Sequence, residues 1–283
     1  MKPVTAATRP PDTTSTTTTE DFSEALPSYE LTCDAMFSES SLIVGGKFSL
    51  RKQFPWFVSI YLKAHNGEFI HKSSGSLVST RFIVTTAYAV ATVDRKGNFI
   101  PVSTDSVRLY VGEKTFKSSE MSGVQEVKKI SIYPQAKMGE PNVFDFAVIK
   151  MKKKVQLSSV IFPICLKKFT PSNHVGETAY AVGCNSDHDG SRKKKHVPLK
   201  IESKDGCRKF YGDYIDHGDA SKYFCATGRK DNVPVIYDAS LYMKLDEKWH
   251  LIGMLNMRAT HDKPILYEDI SEFVEWIDNE MGN

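Results

Sequence analysis

The sequence predicts an all-β protein, an antiparallel sandwich or barrel finished by one C-terminal helix. Three observations carry this. From Ile43 onward, short runs rich in β-branched and aromatic residues recur at fairly even spacing. Turn-forming residues fall between them. Near the C-terminus the apolar spacing changes from strand-like to helical.

The runs follow in order. FVSIYL (57–62) and SLVSTRFIVTTA (76–87) come first, with Asn66-Gly67 as the turn between them. SVRLYVGE (106–113) alternates cleanly, with Val107, Leu109 and Val111 on one face. Lys96-Gly97-Asn98 precedes it as a turn. VQEVKKISIY (124–133) and DFAVIKM (145–151) flank Gly139-Glu140-Pro141. ETAYAVG (177–183) and WHLIGMLNM (249–257) complete the strand series. In ISEFVEWIDNEM (270–281), Ile270, Phe273, Val274 and Ile277 recur at i, i+3, i+4, i+7, one apolar helix face. Asp269 or Ser271 is the expected N-cap.

Composition narrows the class. The chain has 283 residues, 41% hydrophobic and 25% charged, with a net charge of +3, enough for a sizeable core. No run is long and apolar enough to span a bilayer. MKPVTAATRP holds no apolar leader stretch, so a leader has been removed or the chain is a fragment. Residues 1–42 are Thr-, Pro- and acid-rich without periodicity and are expected to be a disordered pro-segment or linker. The rest, 43–283, is expected to fold as one domain. Five cysteines leave at least one unpaired, and their spacing matches no zinc site. The eight histidines are scattered and form no H-E-x-x-H pair, and no Gly-rich phosphate loop is present. Neither a metal nor a cofactor is expected.

These pieces resemble the trypsin/chymotrypsin-like serine protease family over nearly all of 43–283. Ile43-Val44-Gly45-Gly46 looks like the N-terminus such proteases expose on activation, and FPWFVSIY follows it. SSGSLVSTRFIVTTAY resembles the segment leading to the family's catalytic histidine, and DFAVIKM the one carrying its aspartate. PICL, AVGC, YFCATG and KPILYEDISEFVEWI follow in family order. The resemblance implies two six-stranded antiparallel β-barrels with a C-terminal helix and a site between them. It also implies two bridges: Cys207 with Cys225, and Cys33 with Cys165, which would tether the pro-segment. Ser73 and Ala89 stand where the family has a further bridge, and Cys184 is left over.

On this resemblance the triad-equivalent positions are Tyr88, Asp145 and Ala239. A phenol with a pKa of about 10 is no general base near neutrality. Asp145 would then be an acceptor, for example for the Tyr88 hydroxyl. Ala239, in VIYDASLYM, carries no nucleophile, and Ser240 lies one residue too late. Tyr237 stands where a glycine N–H serves the oxyanion hole. Val233 replaces an acid at the pocket base, and Arg258 and Ile265 crowd its wall. These replacements predict that the chain is not an enzyme.

Asp238 stands where the family's aspartate receives the freed ammonium, here that of Ile43. The two are either a working activation latch or an inherited remnant, and Leu42 before the cut is not a trypsin-like cleavage residue. Lys150 and Lys152–Lys154 form one basic cluster, and Arg192, Lys193, Lys194 and Lys195 a second, in an expected exposed loop. The second would suit a sulfated glycan or another anionic ligand. No aromatic interleaving accompanies it, so nucleic acid is not expected. The combined expectation is a secreted, extracellular homologue acting by protein binding as cofactor, decoy or regulator in a protease cascade. An active endopeptidase with a rebuilt site and a glycan- or matrix-binding protein are the alternatives.

Overall fold

The computed structural model describes residues 54–112, 123–138, 144–186, 192–216, 220–228, 237–257 and 263–282. Within them the strands close into two barrels, each of six antiparallel strands.

The first barrel holds β1 (Phe57–Lys63), β2 (Phe69–Leu77), β3 (Phe82–Thr85), β6 (Val107–Val111), β7 (Val124–Ile132) and β8 (Ala147–Met151). They are hydrogen-bonded in the order β1-β2-β3-β8-β7-β6, and β6 returns to β1. Between β3 and β6 lie a four-residue helix, α1 (Ala87–Val90), and a small hairpin of β4 (Ala91–Val93) and β5 (Phe99–Pro101). The hairpin turns at Gly97, whose φ of 84° suits a residue without Cβ. Asp94 secures the turn, its Oδ1 accepting the N–H groups of Lys96 and Asn98. That carboxyl is held below its ordinary value, chiefly by the Asn98 side-chain bond.

The alternation read in the sequence fills this barrel. Val58, Ile60, Leu109, Val84 and Ile149 are buried inward-facing side chains of one core. A closed barrel leaves no edge strand, so each central strand finds partners on both sides.

The second barrel runs β10-β11-β14-β13-β12-β9: β9 (Thr178–Ser186), β10 (Arg192–Ile201), β11 (Tyr223–Thr227), β12 (Tyr237–Leu245), β13 (Lys248–Met257) and β14 (Ile265–Asp269). A helix, α2 (Lys204–Asp216), connects β10 to β11 and is pinned by the Cys207–Cys225 disulfide. After β14, Asp269 accepts the Ser271 N–H at 2.9 Å and caps a 3₁₀ turn, Ile270–Phe273. The α-helix proper, α3 (Val274–Gly282), starts one turn later than the apolar period predicts. Its approach stacks Phe273 on Phe146 at 3.9 Å between ring centroids, and Glu280 reaches Lys129 and Ser131 on β7. No described helix is long and apolar enough to cross a membrane.

The barrels meet through aromatic rings. Phe54, Trp56 and Trp249 pack with Tyr180 and Tyr242 at centroid distances of 5.6 to 6.5 Å. Within this apolar joint the fully buried Tyr242 hydroxyl bonds Ser76 Oγ on the opposite barrel at 2.8 Å. Burial pushes that phenol up to about 12.

Candidate functional site at the barrel junction

Three segments supply the site. The first is α1, which carries Tyr88 outward from the end of β3. Its neighbours Ala87, Ala89 and Val90 are buried, whereas Tyr88 is 46% exposed. Lys72 on β2 places its ammonium 4.1 Å from the Tyr88 ring centroid, a cation–π contact. The second segment enters β8. There Asp145 Oδ1 accepts the Tyr88 backbone N–H at 2.8 Å, and the Asp145 carbonyl accepts the Ala87 N–H at 3.2 Å. This oxygen therefore holds the main chain of Tyr88, and the expected bond from its hydroxyl is replaced by one that fixes α1 itself.

The third segment is β14. Glu268 is 1% exposed and accepts the Asp145 N–H, at 3.1 and 3.3 Å from its two oxygens. Asn256 on β13 donates its amide to Glu268 Oε1 at 2.6 Å. Burial pushes the Glu268 carboxyl well above the usual range, and the charge of Asp145 pushes it further; the two hydrogen bonds act in the opposite direction. Sequence reasoning missed Glu268. The available signal was its place in ILYED, where alternation sets an acid on the opposite face from the apolar Tyr267.

Ala239 is buried in the core of the second barrel. It lies where the β12 pairing with β9 slips, between Tyr237 opposite Cys184 and Ser240 opposite Val182. Ser240 is 1% exposed, and its hydroxyl points to Met254 Sδ at 3.5 Å, inside the junction. Strand alternation explains both: one residue of slip turns a side chain to the opposite face. The backbone of Asp238 belongs to β12, but its side chain lies outside the described residues, as do Ile43, Cys33, Val233 and Arg258. Ile265 begins β14 and packs against the second-barrel core.

Cys165 is disulfide-bonded, and Cys184 is a buried thiol outside any disulfide among the described residues, 4.0 Å from Ser59 Oγ. Among the described residues, no three His, Cys, Asp or Glu side chains converge to hold a metal.

Arg192–Lys195 were expected in an exposed loop, and the structure corrects this. They form the start of β10, paired residue by residue with β9 from Arg192 opposite Ser186 onward. Ladder bonds use only main-chain groups, so a cationic run pairs as well as an apolar one when its neighbour needs partners. Lys194 turns inward enough to bring its ammonium about 6 Å from the rings of Phe54 and Phe57, and the His196 ring lies tilted against Phe54 at 5.5 Å between centroids. The Arg192 and Lys193 side chains lie outside the described residues.

The fold and the sequence agree with one family. The model of the family described as Trypsin matches residues 43–238. The chain belongs to the trypsin family. Among curated relatives, this trypsin-family chain is 24% identical over 252 residues to CLIP domain-containing serine protease B4 of Anopheles gambiae, covering 83% of the chain and 69% of that protein. It is 24% identical over 250 residues to coagulation factor XI of Bos taurus, covering 83% of the chain and 37% of that protein. It is 25% identical over 258 residues to CLIP domain-containing serine protease B9 of Anopheles gambiae, covering 83% and 62%.

These matches correct the expectation that the chain is not an enzyme. The family is one of proteases, and two of these relatives carry serine protease in their names. At 24–25% identity, the residues aligned to the triad positions do not establish inactivity.

Proposed function

We propose that this trypsin-family domain works outside the cell in a protease cascade, by binding another protein of that cascade, a protease or its substrate, at the face that carries Tyr88. The observation that carries this reading is the site itself. A half-exposed tyrosine, stacked under Lys72, stands on a short helix held from behind by Asp145. Tyrosine offers a large, stiff, amphipathic contact surface of the kind that anchors protein interfaces. In this reading Tyr88, Asp145 and Ala239 occupy the family's triad positions, and Asp238 is the receiver for the ammonium of Ile43. The extracellular setting is supported by the Cys207–Cys225 disulfide and by likeness to a coagulation factor. A sulfated glycan on β10 is a subsidiary part of the reading, supported by the run Arg192 to Lys195.

The family match favours a second reading, an endopeptidase with a rebuilt nucleophile. One experiment separates them. The chain and its Tyr88→Ala variant are used to isolate partners from extracellular fluid, and both are treated with a fluorophosphonate probe. Capture of a cascade protease or its substrate that is lost in Tyr88→Ala supports the binding reading. Labelling at Ser240, with capture unchanged by the substitution, replaces it with the endopeptidase.

A further inference from the structure

We propose that Glu268 is a positioning residue that makes the Tyr88 face sensitive to pH, through a relay running from Glu268 to Asp145 to the main chain of α1. This deepens the binding reading and rests on it for the role of Tyr88.

The relay is continuous. Asn256 donates to Glu268, Glu268 accepts the Asp145 N–H, and Asp145 holds the N–H groups of Ala87 and Tyr88 through its carbonyl and its carboxylate. Each link is a hydrogen bond, and the far end is the exposed ring of Tyr88 with Lys72 on it. Asp145 bonds α1 on one side and the second barrel on the other, so its position sets the position of the helix.

The surroundings of Glu268 make its charge matter. From β13 it faces Met254 in register and the Asn256 amide; from β11 it faces Tyr223 in register. From the segment before β8 it faces Asp145, whose charge acts on it directly. Lys222, on the turn before β11, spends its ammonium 4.4 Å from the Phe144 ring centroid. On β14 itself, Asp269 turns to cap Ser271, and Tyr267 packs on Phe224 in the second-barrel core. A neutral Glu268 sits beside an ionised Asp145 without repulsion. Once Glu268 loses its proton, two carboxylates share a buried site, which the fold relieves most readily by moving Asp145, the more exposed of the two. That movement releases the Tyr88 N–H. The direction follows from linkage: an acid whose proton is held more tightly in the fold contributes order that is present at low pH and is lost as pH rises through its folded-state value.

The test is an NMR titration of the full chain, following the Glu268 side-chain carboxyl carbon and the Tyr88 backbone amide together. The expected result is a Glu268 midpoint above the ordinary glutamate range, matched by a step at the same pH in the Tyr88 amide. In Glu268→Gln, which keeps the neutral form's shape, that step disappears. A Glu268 midpoint in the ordinary range, unequal midpoints in the native chain, or an unchanged Tyr88 step in Glu268→Gln overturns the proposal. The native midpoints decide the question even if the variant does not fold. A failure of Tyr88→Ala to alter partner capture would remove the binding reading while leaving the coupled titration in place, so the two fail separately.

Discussion

The two barrels share a topology but are stabilised differently. The first is an aliphatic cylinder. Its inward positions are Val58, Ile60, Val84, Leu109 and Ile149, and small residues, Ser73 and Ala89, stand where the family resemblance implies a bridge. The second barrel carries a disulfide, a buried glutamate, a buried aspartate and a fully buried tyrosine, Tyr267, whose hydroxyl has no hydrogen-bond partner among the described residues. The buried carboxyls and the disulfide therefore lie in the second barrel, whereas, among the described residues, the buried polar side chains of the first are the hydroxyls of Ser73, Ser74, Ser76, Thr85 and Thr86. The polar groups of the second barrel reach the first at the joint, where Tyr242 meets Ser76 and Glu268 meets Asp145.

A cavity in the aliphatic barrel should disturb this contrast most. Leu109→Ala removes a fully buried side chain from the unbridged barrel, at an expected cost of roughly 2–5 kcal/mol in denaturant unfolding. A loss well below that range would mean that the first barrel collapses around the cavity and is less closely packed than its burial indicates. Replacing Cys207 and Cys225 together by serine opens a loop of 18 residues' separation, expected to cost about 3 kcal/mol in the chain-entropy view. The contrast predicts that this loss falls on the second barrel, so amide exchange should quicken in β11 and α2 before β6. Equal loss of protection in both barrels would show that they unfold as one unit.

The smallest effect sharpens the polar side. Burial raises the Asp269 carboxyl from the ordinary 3.8 to about 6, against the pull of its Ser271 bonds. The fold thus keeps a proton that the unfolded chain has already released. Its contribution to stability is complete below about pH 4 and is lost as pH rises through about 6, a difference on the order of 2–3 kcal/mol. Asp269→Asn keeps a capping oxygen but has no proton to lose, so its unfolding midpoint should be flatter across this window. An unchanged slope would place the pH dependence elsewhere.

Much of the fold was legible in the sequence, for reasons that vary by element. Val107, Leu109 and Val111 alternate because one face of β6 fills a barrel, and the pattern survives without any partner strand being known. The C-terminal apolar face was visible for the same reason, although Asp269 first captures Ser271 and makes the opening turn 3₁₀. The Lys194 strand was hidden because its pairing is made by main chain while its side chains read as loop. Helix α2 was hidden because KDGCRKFYGDYID holds two glycines and buries only a narrow edge through Cys207 and Tyr211. At the site, Tyr88 and Asp145 were named from their place in motifs, and the bond the structure shows between them uses the Tyr88 amide where the sequence suggested its hydroxyl. Only coordinates distinguish a phenol from an amide in that role. Alternation in ILYED marks Glu268 as an oddly placed acid, but not its role, because its partners Asp145 and Asn256 lie 123 and 12 residues away in sequence.

The contacts of α3 bear on how the chain is made. Phe273 completes the packing of Phe146, and Glu280 joins Lys129 across 151 residues of sequence. On a ribosome the first barrel emerges early, with its aromatic face uncovered until the last helix leaves the tunnel. Such long-range closure slows folding and leaves apolar surface open to other chains in the interval. The period between translation of β8 and arrival of α3 is thus when Phe146 lacks the ring that covers it in the fold.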